Sequence, residues 1–205
     1  SGSHQDAIKK GMHGYQSGSI WDIPYLTIDP EDIGREYKAI IRINSQSGKG
    51  GVAYIMESDY NCIIPKKMQP ELSQVIQSVA EKTGQEVSAS TIWDIFQTEF
   101  INKETYLSLT NIHTELNTDG SVHATLDIAY NDETHSLKSI GNGPIDASKK
   151  ALESIFSNIT IESYSEHSLS QGSDSNAICY LNIQYNNSTC YGVGLDSNIT
   201  LASVK

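Results

Sequence analysis

The chain has 205 residues, 38% hydrophobic and 19% charged, with 14 basic against 25 acidic groups and a formal net charge of −11. That apolar share suffices for a packed core and argues against a disordered chain, while the acidity repels phosphate backbones and excludes nucleic acid as a natural partner. No apolar run approaches the ~18 residues that cross a bilayer, and residues 1–10 lack the apolar centre of a signal peptide, so no membrane partner is expected. Three cysteines, Cys62, Cys179 and Cys190, lack CxxC spacing and read as free thiols in a reducing, cytoplasmic setting.

In chain order, Asp6–Met12 reads as the tail of a helix and Ser17–Ser19 as a short break. Asp29-Pro30-Glu31-Asp32 reads as a helix start: Asp29 caps, Pro30 suits the first helical position, and two acids favour the positive dipole end. Tyr37, Ala39, Ile41 and Ile43 alternate like a strand. Met68, Leu72, Val75, Ile76, Val79 and Ala80 have helical spacing, ended by Gly84. Ile92, Ile95, Phe96 and Phe100 form a second stripe, with Ser90 as its expected cap.

Charge and texture change near Asn102–Tyr106, where a domain boundary is expected. Beyond it, Val122, Ala124, Leu126, Ile128 and Tyr130 alternate as one face of a strand. Asn131-Asp132 turns the chain into a second strand toward Ile140. Gly141-Asn142-Gly143-Pro144 then opens a helix with the stripe Ala147, Ala151, Leu152, Ile155 and Phe156.

Shifting the chain by 55 residues superposes Leu126, Ile128, Tyr130, Asn131 and Thr134 on Leu181, Ile183, Tyr185, Asn186 and Thr189, and Ala147, Ser148 and Lys150 on Ala202, Ser203 and Lys205. Residues 106–205 therefore read as two copies of one ββα unit. A unit this small cannot bury its apolar face alone, so the copies are expected to pack together or on a second chain. The second copy reaches only the start of its helix at Lys205.

Ser45-Gln46-Ser47-Gly48-Lys49-Gly50-Gly51 departs from the phosphate-loop pattern, because Lys49 precedes Gly50 rather than Ser or Thr. It reads as a flexible connection, with anion binding open if Gly48 starts a helix. The six histidines form no HxH, HExxH or Cys/His cluster, so no metal site is expected in this chain. The Gly141–Pro144 turn is the best binding candidate: it leaves backbone N–H groups at a helix start, which attract a carboxylate. Asp146 and Glu166 nearby suit a zwitterion with an ammonium group.

Ser1-Gly2-Ser3-His4-Gln5-Asp6-Ala7, Ile23-Pro24-Tyr25-Leu26, Asp29-Pro30 with Ile33-Gly34-Arg35, and Asn44 to Tyr54 together resemble the 2-isopropylmalate synthase family of the longer bacterial and fungal type. Gly141-Asn142-Gly143-Pro144 and Tyr164-Ser165-Glu166-His167 resemble its C-terminal regulatory domain. The resemblance implies an α+β chain: linker subdomain I at residues 1–35, mainly helical linker subdomain II at 36–104, and an allosteric regulatory domain at 105–205 with repeats at 121–157 and 176–205. The family's catalytic (β/α)8 barrel, with its divalent zinc or magnesium, acetyl-CoA and 3-methyl-2-oxobutanoate sites, is absent from these residues, so the chain alone is expected to be inactive.

The resemblance also implies a homodimer in which His4 and Tyr25 serve the partner subunit's barrel. It further implies a leucine pocket of Gly141, Asn142, Gly143, Ile145, Asp146, Ala147, Tyr164, Ser168, Ala177 and Leu195. Hinges are expected near Gly14–Ser19 and Ser45–Gly51. Two other readings stay open: the regulatory part of a citramalate or homocitrate synthase, and a stand-alone amino-acid-binding module.

Overall fold

The computed structural model describes residues 2–16, 18–35, 49–84, 86–172 and 174–205. The expected strand at Tyr37–Ile43 and residues 45–48 of the glycine-rich segment lie outside them. The chain divides into two compact units, Ser1–Ile95 and Phe96–Lys205.

In the first unit, α1 (Gly2–Gly14) packs on α2 (Lys49–Tyr60), and α2 on α3 (Gln69–Thr83). Sequence reading missed α2, whose first turn holds Gly50 and Gly51, poor helix formers. Its signal was the stripe Val52, Ile55 and Met56, all buried. The flexible-connection reading therefore fails from Lys49 onward. Gly84 closes α3 as expected, with φ 65° and its N–H donating to the Ala80 carbonyl at 2.9 Å. Asp29 caps as expected, accepting from the Glu31 N–H at 3.0 Å, but the element is a single 3-10 turn, Pro30–Ile33, closed by Gly34. Helix α4 (Ala89–Glu99) begins earlier than expected. Ser88 rather than Ser90 caps it, its Oγ accepting from the Thr91 N–H at 3.1 Å.

The second unit holds two three-stranded antiparallel sheets, β1 (Leu107–Leu116), β2 (Val122–Tyr130), β3 (Glu133–Gly141), and β4 (Ile159–Ser168), β5 (Ala177–Tyr185), β6 (Ser188–Asp196). Helix α5 (Pro144–Leu152) lies on β2 and β3, and α6 (Ile199–Val204) on β5 and β6. The chain is thus α+β with two helix-bearing repeats, and each ββα unit is extended by a leading strand. Both leading strands carry a bulge, after Leu109 and after Ile161, which breaks the period-two pattern that reveals a strand. The loop before β5, residues 169–176, is three residues longer than residues 117–121 before β2. A fixed shift of 55 therefore slides past the match between β1 and β4.

Hairpins β2–β3 and β5–β6 turn on two residues each, Asn131-Asp132 and Asn186-Asn187. All four have positive φ, the conformation that two-residue hairpin loops require and Asn and Asp tolerate. Helix α5 stops at Leu152, short of the expected Phe156, because Ser154 Oγ donates to the Ala151 carbonyl and the chain tightens into turns. Ile155 still packs on the Leu126, Ile128 and Ala151 core. Phe156 sits edge-on to Tyr130 and to its counterpart Tyr185, with centroids at 4.9 and 6.3 Å.

The faces away from the helices differ. On β2 that face is His123, Thr125, Asp127 and Ala129, none of them buried; on β5 it starts with Ile178, Tyr180 and Asn182, all buried. Gly141 and Gly194 mark where each third strand passes under its helix. A Cβ at Gly141 would lie 2.3 Å from the Ala147 nitrogen, and one at Gly194 would lie 1.8 Å from the Ala202 carbonyl oxygen. A Cβ at Gly192, on the same strand as Gly194, would meet nothing within 4 Å. Gly194→Ala is therefore expected to destabilise by ~1–3 kcal/mol through overpacking and Gly192→Ala to be neutral or stabilising, as read by urea unfolding midpoints.

Candidate functional site

The turn from β3 to α5 is built by backbone contact. With no side chain at Gly141, the strand end meets the helix start, and the first helical bond runs from the Ala147 N–H to the Gly143 carbonyl at 2.9 Å. Asp146 reaches back over the turn: its Oδ2 accepts from the Asn142 N–H at 2.9 Å and from Lys150 Nζ at 2.8 Å. Those two bonds, with the charges of Lys150 and Lys149, hold the Asp146 carboxyl below the usual carboxylate range.

The second copy has the same parts in another arrangement. Lys205, the counterpart of Lys150, donates to Asp196 Oδ2 at 2.6 Å, and Asp196 Oδ1 accepts from the Asn198 N–H at 2.8 Å. The helix starts differ more. Asn198 caps α6 with its side chain, accepting from the Thr200 and Leu201 N–H groups at 2.9 and 3.2 Å. Its counterpart in α5 is Gly143, which has no side chain and makes no such cap. First-turn N–H groups have no partner within their own helix. Of the two turns, the glycine one thus leaves them for a ligand, and a carboxylate suits them in charge and geometry.

The remaining pocket candidates lie in the second repeat. Ser168 pairs with Ala177 at one end of β4 and β5, and Tyr164, 60% exposed, pairs with Leu181. Leu195 pairs with Ile178, so its side chain is on the sheet face opposite Ala177. The ten candidates therefore fall into two groups, Gly141–Ala147 in the first repeat and the other four in the second, with Leu195 facing away from Ala177. A cleft of about 610 Å³ opens between the helix-bearing faces of the sheets, walled by Leu126, Ile128, Leu181 and Ile183. Among the candidates Ile145 borders it. Cys179 also lines it, and burial, then the charge of Glu166, pushes its thiol up to about 11.

In the first unit, His4 on α1 and Tyr25 lie side by side, ring centroids 4.4 Å apart. Both are exposed, and Tyr25 has φ 67°, a conformation that bulky residues avoid. Its turn is held by the Leu26 N–H to the Ile23 carbonyl at 3.1 Å and by Trp21 Nε1 to the Leu26 carbonyl at 2.8 Å. Imidazole and phenol so placed present two proton-transfer groups on one surface.

Fold and turn together define a duplicated βββα domain in which α6 is capped by a side chain and α5 is not. Residues 86–205 match the family described as the LeuA allosteric (dimerisation) domain, and the chain belongs to that family. Residues 1–57 match the alpha-isopropylmalate synthase, post-catalytic domain-like family. Over its full length the chain is 40% identical to a 2-isopropylmalate synthase of Thermobifida fusca. It is 41% identical to proteins of that name from Parvibaculum lavamentivorans and Brucella suis. It spans 38%, 36% and 38% of those relatives' lengths.

Because the folded carboxyl of Asp146 titrates below its unfolded value, its contribution to stability is present above the ordinary carboxylate pKa of ~3.9 and is lost as pH falls through the lowered folded value. Asp146→Asn is expected to be less stable than wild type in urea at pH 7, with the difference closing as pH falls below about 4.

Proposed function

We propose that this chain is the post-catalytic and leucine-sensing portion of a 2-isopropylmalate synthase, the enzyme that condenses acetyl-CoA with 3-methyl-2-oxobutanoate, and that it works as a cytoplasmic homodimer. The observation that carries the reading is the full-length similarity to proteins of that name. The open helix start at Gly143 supports a free amino acid as effector. The carboxylate takes the first-turn N–H groups of α5, and Asp146, which keeps its charge at neutral pH, takes the ammonium. Ile145 and Ala147, with Tyr164, Ser168 and Ala177 of the second repeat, take the isobutyl group, and Leu195, on the sheet face opposite Ala177, is the one candidate left outside it.

Calorimetry with leucine tests this, with isoleucine and lysine as competitors that distinguish the citramalate and homocitrate readings. Leucine is expected to bind preferentially; binding of either competitor in its place overturns the assignment. Gly143→Asn, which copies Asn198, is expected to stabilise the fold by a few tenths of a kcal/mol and to weaken leucine at least tenfold, because the new amide occupies the N–H groups that the carboxylate needs.

The His4–Tyr25 pair acts on the partner subunit's barrel, where the divalent metal belongs. Forming an enolate from a weakly acidic methyl group and protonating the alkoxide left by C–C bonding both call for acid–base groups. In the longer protein, Tyr25→Phe removes only the hydroxyl. It is expected to lower kcat by ~100-fold or more while leucine still binds. An unchanged kcat rules Tyr25 out of the chemistry.

A further inference from the structure

Tyr25 stands where a turn favours glycine. Ile23-Pro24-Tyr25-Leu26 is closed by the Leu26 N–H on the Ile23 carbonyl at 3.1 Å. Pro24 in the second place and φ 67° at Tyr25 in the third follow the pattern of a type II turn, whose third place suits glycine. A phenol there is strained, and burial does not hold it, because Tyr25 is 66% exposed. Two neighbours hold the turn instead. Trp21 Nε1 donates to the Leu26 carbonyl at 2.8 Å, and the indole lies edge-on to Tyr15 with centroids at 5.1 Å. Helix α1 makes room at Gly11, where a Cβ would lie 2.9 Å from Pro24 Cδ and 3.2 Å from Ile23 Cγ2. His4, Ile8 and Gly11 follow the i, i+4, i+7 spacing of one helix face. The turn seated at Gly11 thus presents Tyr25 to His4 two helical turns away, with the rings in contact. Strain kept at an exposed aromatic against an imidazole marks a working surface rather than a core.

We propose that Trp21 is a positioning residue for the His4–Tyr25 pair. Its indole N–H holds the turn closed with Tyr25 in the left-handed conformation, and so keeps the phenol against the imidazole. The inference rests on the acid–base reading of the pair above. It adds that proton transfer depends on an indole that reaches the two reacting groups only through the backbone at Leu26.

Trp21→Phe keeps a ring beside Tyr15 and removes only the donor. Gly11→Ala presses on Pro24 from α1 and serves should the first variant not fold. NMR on the full chain is expected to show the ring-to-ring Overhauser effect between His4 and Tyr25 lost in either variant, while the amide signals of α3 stay as in wild type. In the longer protein, Trp21→Phe is expected to lower kcat about tenfold. Where Tyr25→Phe is already present, it is expected to lower kcat less than about twofold, because the indole acts through that hydroxyl. A merely structural role costs the same factor in both backgrounds. That result, an undiminished Overhauser effect, or wild-type kcat in Trp21→Phe overturns the positioning role while the acid–base reading stands. Wild-type kcat in Tyr25→Phe overturns both.

Discussion

Each repeat of the second unit depends on a contact that leaves no room for a side chain: the third strand running against the backbone of the helix that follows it. Gly141 and Gly194 make that contact possible. It brings the helix start onto the strand end, where Asp146 or Asp196 can bind the turn's N–H groups and be held in turn by Lys150 or Lys205. Hydrophobic burial beneath the helices supplies stability, as Leu126, Ile128 and Ala151 do in the first repeat. The glycine contact fixes where the helix begins, and with it where the open N–H groups point.

Duplication followed by divergence accounts for the difference between the turns. The two copies keep the hairpin and the lysine, and each has a glycine under its helix, though not at matching positions: the 55-residue shift sets Gly141 on Asp196 and Gly194 on Ser139. They differ at the cap, where Asn198 satisfies its own helix and Gly143 does not. A side-chain cap occupies first-turn donors, so of the two turns the uncapped one is the candidate for a ligand.

Much of this was legible in the sequence. Unbroken alternation from Val122 to Tyr130 gave β2, Asn131-Asp132 gave the hairpin, and the 55-residue shift gave the repeat; the same shift sets Gly143 opposite Asn198, a correspondence whose meaning only the caps show. The leading strands were hidden because the bulges after Leu109 and Ile161 reset the period that marks a strand. Helix α2 was hidden because two glycines begin it, and the cap of α4 fell on Ser88 because its hydroxyl, not that of Ser90, reaches the Thr91 N–H. The Asn102 side chain bonds both backbone groups of Leu195, 93 residues away, and local pattern carries no signal for such a bond. The pairing of His4 with Tyr25 is of the same kind, although the family resemblance had already singled out both residues.

The unlike outer faces of the two sheets bear on how the domain is made. A sheet whose far side is His123, Thr125 and Asp127 can stand in water as soon as its hairpins and helix have emerged. One whose far side is Ile178, Tyr180 and Asn182 needs shelter from the moment it forms. During synthesis the self-sufficient copy leaves the ribosome first. By the time β6 appears, Asn102 has long been exposed, ready to receive the last strand as it arrives.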